Sequence, residues 1–300
     1  MAGVACPLCS STSCQVKWRG EQAWNPSSEG AFHCTTTVRR RPEVWRCGDC
    51  SHLFTNPNSW PKRLSEEYEV LEDHEYLRML PAKYRTFRRA ANLLSQFAPP
   101  PAEILEVGCY AGAFLDEARS RGYQATGIEP SLWGIKHCLE LGHSVIQGTA
   151  EDAIESLAPR RFAAVISWDV LEHVRSPTRF MSRLASVTEP GGVVLISTLD
   201  RTNWFARLLG RRWPWVIPMH FHYFDQETVR GISESCDLVL LQTGAHVHYS
   251  TPGYALSRLL GIPHYRRPNS LTRSRSRWVF PVGFGDVRYY VFRKKSDTDQ

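Results

Sequence analysis

The apolar positions of residues 102–300 recur as short runs that alternate with helical stretches. The runs read EILEVG, QATGIE, HSVIQG, FAAVISW and GGVVLIST, followed later by DLVLLQTG and VRYYVFRKK. This alternation is typical of a parallel sheet with helices on both faces. Ligands of such sheets bind at the carboxyl ends of the strands, so the residues that follow each run are the first candidates for function.

Residues 62–97 show helical periodicity, and Pro81 predicts a break near the middle of that helical region. A proline-rich segment, APPPAE, follows and marks a boundary. We therefore divide the chain into a small module (1–60), a helical linker or cover (61–101) and a large α/β domain (102–300). Residues 246–285 form an insertion before the last strand of that domain.

Composition places the chain among globular proteins, with 42% hydrophobic and 22% charged residues in a length of 300. The net charge of +6 is small for a protein that must neutralise many phosphates. No window approaches the roughly 18 apolar residues of a membrane span. The first residues lack the basic and apolar segments of a secretory signal. We expect a cytoplasmic protein.

The first fifty residues contain two CxxC pairs, Cys6 with Cys9 and Cys47 with Cys50. Two CxxC turns can complete the tetrahedral four-sulfur shell that zinc prefers. The segment is too short and polar to bury a core alone, so a metal would supply the missing stability. We predict a structural zinc ion. The other thiols of the segment are Cys14 and Cys34. We interpret both as spare thiols, with the second as an alternative ligand.

The stretch ILEVGCYAGAFL indicates a strand, a tight turn and the start of a helix. Gly108 and Gly112 permit the turn, and Glu106 can bind a cationic ammonium or fix the loop. About twenty residues later the next strand ends at Glu129, whose carboxylate can accept both hydroxyls of a ribose. The loop lacks the glycine spacing of a dinucleotide site and the lysine of a P-loop. These features predict an adenosine-type cofactor.

Five segments occur in a familiar order: ILEVGCYAGAFL, GIEPSLWGIKHC, FAAVISWDVLEHVRSP, EPGGVVLIST and HFHYFDQETV. Together they resemble a class I S-adenosylmethionine-dependent methyltransferase, of the ubiquinone-pathway-like and bacterial biosynthetic group. The resemblance implies a Rossmann-like seven-stranded sheet with its last strand antiparallel. It also implies the residues that contact the cofactor: Glu106, Gly108, Gly112, Glu129, Ala150, Glu151 or Asp152, Trp168 and Asp169. Tyr110 is expected beside the methionine end of the cofactor or beside the acceptor cleft. Many relatives have an aspartate at the point of the chain where this sequence has Thr149.

A hydroxyl acceptor requires a base, for which His173, His220 and His222 are the candidates because imidazole titrates near neutral pH. Since His220 and His222 are alternate positions of an extended segment, only one of them can face the cleft. In some ubiquinone-pathway relatives a similar stretch binds a divalent metal, which would correspond to Asp169, Glu172 and His173 here. The aromatic segment GRRWPWVIPMHFHYF is an expected acceptor wall or core.

The favoured function is methylation, on oxygen, of a small molecule or glycan in a biosynthetic pathway. An RNA methyltransferase with a zinc-ribbon substrate module is an alternative, since some rRNA enzymes carry such a ribbon. A sugar C-methyltransferase is another, although the large C-terminal domain of those enzymes is absent from this sequence. A binding protein on an inactive methyltransferase fold is the third. A homodimer and a lid formed by the insertion are further hypotheses.

Overall fold

The structure is a computed structural model that describes residues 4–21, 41–61, 64–69, 72–255 and 278–296. Cys34, the arginines at positions 39 and 40 and most of the basic insertion lie outside the described residues. Within these ranges, no helix is both long enough and apolar enough to cross a membrane.

The described elements follow the alternation that the sequence predicts. The strands are β1 (Cys14–Trp18), β2 (Val44–Cys47), β3 (Leu53–Thr55), β4 (Glu103–Val107), β5 (Gln124–Glu129), β6 (Ser144–Gln147), β7 (Phe162–Trp168), β8 (Thr188–Leu199), β9 (His222–Tyr223), β10 (Leu238–Ala245), β11 (His248–Ser250), β12 (Phe280–Val282) and β13 (Val287–Lys294). The helices are α1 (Leu64–Glu69), α2 (His74–Leu94), α3 (Ala113–Arg119), α4 (Leu132–Glu140), α5 (Ala150–Ser156), α6 (Pro177–Ser186), α7 (Trp204–Leu209) and α8 (Gln226–Glu234). Short 3-10 turns lie at Pro57–Ser59, Leu171–His173 and Gly210–Arg212.

The large sheet has seven strands in the order β10-β13-β8-β7-β4-β5-β6. Strand β13 is antiparallel to both of its neighbours, while β8, β7, β4, β5 and β6 are mutually parallel. Strand β10 therefore runs in the same direction as β8, and its carboxyl end lies at the same edge. The predicted fold class, with an antiparallel last strand, is confirmed.

Apolar side chains cover both faces of this sheet. One core packs Val107, Val165 and Ile196 against α5, α6 and α8. The other packs Ile104 and Ile166 against α2 and α3. Burial on two faces explains why the strands are continuous apolar runs rather than alternating ones.

The amino-terminal region forms a second sheet, of order β1-β2-β3-β9. Its fourth strand comes from the large domain, because Leu53 pairs with Tyr223 and Phe54 with His222. The cysteine-containing segment is thus joined to the large domain by main-chain hydrogen bonds. The domain limits that we assign from the sequence stay a prediction.

The helical region before the large sheet differs from expectation at Pro81. The predicted break there is wrong, because α2 continues through Pro81. Burial of Met79 and Ala82 on either side packs this turn against the rest of the protein and compensates for the lost hydrogen bond. Helix α2 begins at His74. The preceding residue, Asp73, is its N-cap, and the Asp73 carboxylate accepts a hydrogen bond from the backbone N–H of Tyr76.

Candidate active site

A cavity of about 1440 Å³ opens at the carboxyl edge of the seven-stranded sheet. Its wall contains the residues that follow β4, β5, β6, β7 and β10, and helix α2 covers one side through Tyr76, Met79 and Lys83. The cofactor and base candidates selected from the sequence all line it except Gly112 and His222. The candidate site is therefore largely assembled where the strand pattern places it.

Glu129, the last residue of β5, fixes the loop that follows β4. Its Oε2 accepts a hydrogen bond from the Tyr110 N–H at 2.8 Å, and its Oε1 accepts one from the Ser131 N–H at 2.9 Å. Burial raises the pKa of Glu129 to about 7, although both N–H groups lower it. Each carboxylate oxygen keeps a further lone pair, so this side chain can still accept hydrogen bonds from two ribose hydroxyls.

Glu106, on the neighbouring strand β4, is only 2% exposed and lines the same cavity. No described residue donates a hydrogen bond to its Oε2. Burial raises the pKa of Glu106 well above its usual value, and the nearby Cys138 and Glu129 raise it further. A buried acceptor without a donor is costly, and a cationic ammonium in the cavity would relieve that cost.

The turn between these two carboxylates depends on backbone conformations that few residues adopt. Gly108 has a φ of +81°, and a Cβ there would lie 2.6 Å from Cγ2 of Val170. Gly112 has a φ of +78° and caps α3, where a Cβ would lie 3.1 Å from the Cys138 sulfur. Gly108 therefore keeps the cavity wall free of a side chain, whereas Gly112 shapes the turn from outside the cavity.

Tyr110 also has a positive φ, +46°, in the same turn. Its ring lines the cavity and packs edge-on against Tyr76, with 4.6 Å between ring centroids, and obliquely against Trp133 at 5.5 Å. The side chain thus takes part in an aromatic cluster under α2 and in the cavity wall. Tyr110 lies beside Glu129, as its backbone hydrogen bond requires.

The loop after β6 forms the far end of the cavity. The sequence candidates for the adenine contact, Ala150 with Glu151 or Asp152, line it together with Thr149. The Thr149 hydroxyl donates a hydrogen bond to the Asp152 carboxylate at 2.9 Å. Asp152 therefore brings a carboxylate to the cavity beside Thr149.

Asp169 follows β7 with a φ of +55°, and Ser197 of β8 orients it. The Ser197 hydroxyl donates to Asp169 Oδ1 at 2.6 Å. The other oxygen, Oδ2, lies 3.4 Å from Nε2 of His248. His246 stacks on Trp168, with ring centroids 5.1 Å apart. Neither His246 nor His248 is predicted as a site residue from the sequence, although both follow the run DLVLLQTG at the carboxyl edge.

Glu172 and His173 lie in the next turn and face His220 instead. Together these three side chains form a second cluster of possible metal ligands on the cavity wall. The structure thus divides the expected metal set, because Asp169 groups with His246 and His248. Burial raises the pKa of Glu172 to about 8, and its Oε2 accepts a hydrogen bond from the Thr198 hydroxyl at 2.8 Å.

The three candidate bases differ in what their ring nitrogens do. His173 Nδ1 lies 2.9 Å from the Met219 carbonyl oxygen, and His220 Nδ1 lies 2.8 Å from that of Trp215. Because a carbonyl only accepts, each Nδ1 carries the proton, and each Nε2 of the neutral ring has a lone pair. Burial lowers the pKa of His173 to about 4, so that its ring is neutral near pH 7.

His222 is fully buried and lies outside the cavity wall. Its Nε2 donates to the Val174 carbonyl at 2.9 Å, and its Nδ1 accepts from Nε2 of His52 at 3.0 Å. Burial lowers the pKa of His222 to about 3. Both nitrogens are engaged, so of the two alternating histidines it is His220 that faces the cavity.

The aromatic segment of residues 210–224 is expected to form either an acceptor wall or part of the core. It contributes side chains to both. Trp215, Ile217 and Met219 line the cavity. Trp213 and Tyr223 are instead buried in the core beneath.

The four cysteines of the two CxxC pairs converge on one point. Cys9 Sγ lies 3.6 Å from Cys47 Sγ and 3.5 Å from Cys50 Sγ, and Cys6 Sγ lies 3.6 Å from Cys50 Sγ. All four sulfurs lie within 4.8 Å of one another. Zinc at about 2.3 Å from four sulfurs would space them about 3.8 Å apart. The donor set and its spacing therefore fit zinc. Cys14 Sγ instead lies 3.4 Å from the Ser11 carbonyl.

A seven-stranded sheet with an antiparallel last strand, together with buried carboxylates on β4 and β5 at its carboxyl edge, defines a class I S-adenosylmethionine-dependent methyltransferase. Residues 80–243 match the family described as methyltransferase domain, and the chain belongs to that family.

Curated relatives include two ubiquinone biosynthesis O-methyltransferases. That of Bradyrhizobium sp. (strain ORS 278) is 36% identical over 127 residues, which are 41% of this chain and 49% of the relative. That of Xanthomonas campestris pv. campestris is 38% identical over 114 residues, or 36% of this chain and 47% of the relative. The chain thus spans about half the length of these relatives.

Solved structures share the fold at low sequence identity. A SAM-dependent methyltransferase from Archaeoglobus fulgidus is 14% identical with a TM-score of 0.51, over 74% of this chain and all (100%) of that one. A second is 14% identical with a TM-score of 0.53, over 79% of this chain and 100% of the other. It comes from the complex between the Haloferax volcanii Trm112 methyltransferase activator and the putative methyltransferase.

Proposed function

We propose that this methyltransferase methylates an oxygen atom of a small molecule in a biosynthetic pathway, with His173 as the general base. The main support is the cavity itself, in which buried Glu106 and Glu129 and the neutral ring of His173 line one continuous space. The curated relatives are O-methyltransferases, which supports oxygen as the methylated atom.

The two carboxylates would hold the two ends of the cofactor. Glu106, with its unpartnered Oε2, would bind the ammonium group of the methionine part. Glu129 would accept the ribose hydroxyls, and Ala150 and Glu151 would contact the adenine. When bound, S-adenosylmethionine supplies an electrophilic methyl group, and the electron pair of the broken S–CH₃ bond stays on sulfur.

His173 would remove the proton from the acceptor hydroxyl. The Met219 carbonyl holds the proton on Nδ1, so the lone pair on Nε2 is available to take the hydroxyl proton. The acceptor oxygen then uses its own electron pair for the new O–CH₃ bond. Trp215 and Ile217 would form the apolar wall that excludes water and aligns the acceptor.

We also propose that the four-cysteine cluster binds a structural zinc ion. All four of its tetrahedral positions would be filled by protein sulfur, which leaves no open coordination site for catalysis. The ion would stabilise the small sheet in which β3 pairs with β9 of the large domain. A glycan acceptor, a homodimer and a cytoplasmic location stay predictions from the sequence.

Calorimetric titration with S-adenosylmethionine tests the cofactor site. Glu106→Gln is expected to weaken binding by roughly tenfold or more, because a charge-assisted hydrogen bond to the ammonium is lost. Glu103→Gln, at the exposed first residue of the same strand, is the matched control and should bind as the wild type does. Absence of binding by the wild type would overturn the assignment.

Methyl transfer to phenols, nucleotide sugars and RNA tests the acceptor class. His173→Ala is expected to lower kcat by about 10²–10⁴-fold, the usual contribution of a general base, with little change in cofactor affinity. His74→Ala, at the exposed start of α2, is the control. Unchanged kcat in His173→Ala would remove this residue as the base, and turnover on RNA alone would favour the RNA alternative.

A further inference from the structure

We infer that Asp169, His246 and His248 form a binding site for a divalent first-row transition metal ion on the cavity wall. Their ligand atoms lie within 4.8 Å of one another. Two of the three residues come from the segment after β10, outside the stretch that suggests a metal by resemblance. One carboxylate and two imidazoles suit ions such as manganese, iron and zinc.

The two imidazoles are arranged as ligands rather than as packing groups. Nε2 of His246 and Nε2 of His248 are both buried and make no hydrogen bond with a described residue, and the Nε2 of His248 lies 3.4 Å from Oδ2 of Asp169. Their rings are nearly perpendicular, at 85°, with centroids 4.7 Å apart. A buried Nε2 without a partner on His246, next to an Nε2 on His248 whose carboxylate neighbour is 3.4 Å away, is unfavourable unless something in the cavity binds both nitrogens.

Neighbouring residues hold this cluster in position. Ser197 donates to Oδ1 of Asp169, which leaves Oδ2 toward His248. His246 is fixed by stacking on Trp168 and by the backbone hydrogen bond from its N–H to the Val287 carbonyl. Such outer contacts orient ligands in protein metal sites.

The charges around the site limit its affinity for a metal ion. Asp169 is the only carboxylate of the cluster, and Lys83 of α2 lines the same cavity. We therefore expect an exchangeable ion with open positions toward the cavity. Such an ion would bind an acceptor oxygen and acidify its hydroxyl. That role rests on the proposed methyl transfer, whereas the site itself does not.

Electron paramagnetic resonance titration of the full, tag-free chain with Mn²⁺ tests the site, because binding removes the signal of the free ion. Mn²⁺ prefers oxygen and nitrogen ligands, so the thiol cluster does not interfere. We expect saturable binding at one site, weakened at least about tenfold by His248→Gln and by Asp169→Asn. His220→Gln tests the second cluster and His74→Gln a surface histidine, and both should bind as the wild type does.

Cofactor affinity and thermal unfolding are measured on the same samples. Loss of Mn²⁺ binding in His248→Gln, with the melting temperature unchanged, supports the site. Loss in His220→Gln but not in His248→Gln would place the ion in the other cluster and overturn the inference. Absence of Mn²⁺ binding by a wild type that binds S-adenosylmethionine would also overturn it, while leaving the proposed function intact.

Discussion

His52 Nε2 lies 3.0 Å from His222 Nδ1 inside the protein, and this pair joins the cysteine-containing segment to the methyltransferase domain. Both rings are fully buried, and the other nitrogen of His222 donates to the carbonyl of Val174, next to the turn that carries His173. The Phe221 N–H donates to the Glu172 carbonyl in the same region. The amino-terminal sheet therefore supports one wall of the cavity.

His222→Ala is expected to destabilise the protein rather than to stop catalysis. The substitution removes two buried hydrogen bonds and leaves the His52 N–H unpaired, at a cost of about 2–4 kcal/mol. At about 2–4 °C per kcal/mol for a domain of this size, the melting temperature should fall by roughly 5–15 °C. Calorimetry or circular dichroism measures this.

The control is His74→Ala, which alters an exposed histidine and should leave the melting temperature unchanged. Well below the melting temperature, His222→Ala should keep its turnover per folded molecule. A hundredfold loss of kcat without a change in stability would contradict this interpretation and restore His222 as a base.

The pKa of Glu129, raised to about 7 by burial, predicts that cofactor affinity depends on pH. Only the ionised carboxylate is a full acceptor for the ribose hydroxyls, so affinity should be highest above pH 7. Below pH 7 the cofactor affinity should decrease as the carboxyl becomes protonated, with a limiting slope of about tenfold per pH unit. Calorimetric titrations between pH 5.5 and about 8.5 measure the profile.

Glu129→Gln supplies the matched comparison for that profile, because its amide cannot ionise. This variant should bind more weakly above pH 7 and show a shallower pH dependence, to which Glu106, whose pKa burial also raises, still contributes. A profile with the same slope in the variant would assign the titration to another group.

The sequence predicts the parts of this structure that depend on local patterns. The central strands β4, β7 and β8 are largely buried on both faces, so their sequences are continuous apolar runs. Glu106 and Glu129 stand near the ends of two predicted strands, which places both carboxylates at the carboxyl edge of the sheet. His246 and His248 also follow a recognisable run. Their place at the cavity depends on β10 running parallel to β8, however, and the antiparallel strand between the two comes last in the sequence.

Other features depend on contacts between distant positions. His52 and His222 are 170 residues apart, and no local pattern indicates that β3 and β9 pair. For this reason the sequence alone does not distinguish the buried His222 from His173 and His220, which line the cavity. Pro81 likewise predicts a break from local chemistry, whereas burial of the neighbouring turns keeps α2 intact.

Cys9→Ser is expected to lose the metal and lower the melting temperature, because an incomplete sulfur shell binds zinc weakly and the small sheet has little core of its own. The purified wild type should contain one zinc per chain by elemental analysis. Cys14→Ser is the matched control, since this thiol contacts the Ser11 carbonyl outside the two CxxC pairs. Equal zinc content in both variants would contradict the four-cysteine site.

Tyr110→Gly is expected to change cofactor affinity through two opposing effects. Glycine relieves the strain of a φ of +46°, which favours the turn, but it removes the ring that packs on Tyr76 and Trp133. Aromatic contacts of this kind contribute about 0.5–1.5 kcal/mol each, so a net loss equal to one contact, after the strain is relieved, should weaken binding by roughly 2- to 12-fold. Tyr110→Phe keeps the ring and should bind within about twofold of the wild type if packing dominates. If the glycine variant binds the cofactor as tightly as the wild type, the ring serves the aromatic cluster under α2 and not the cofactor.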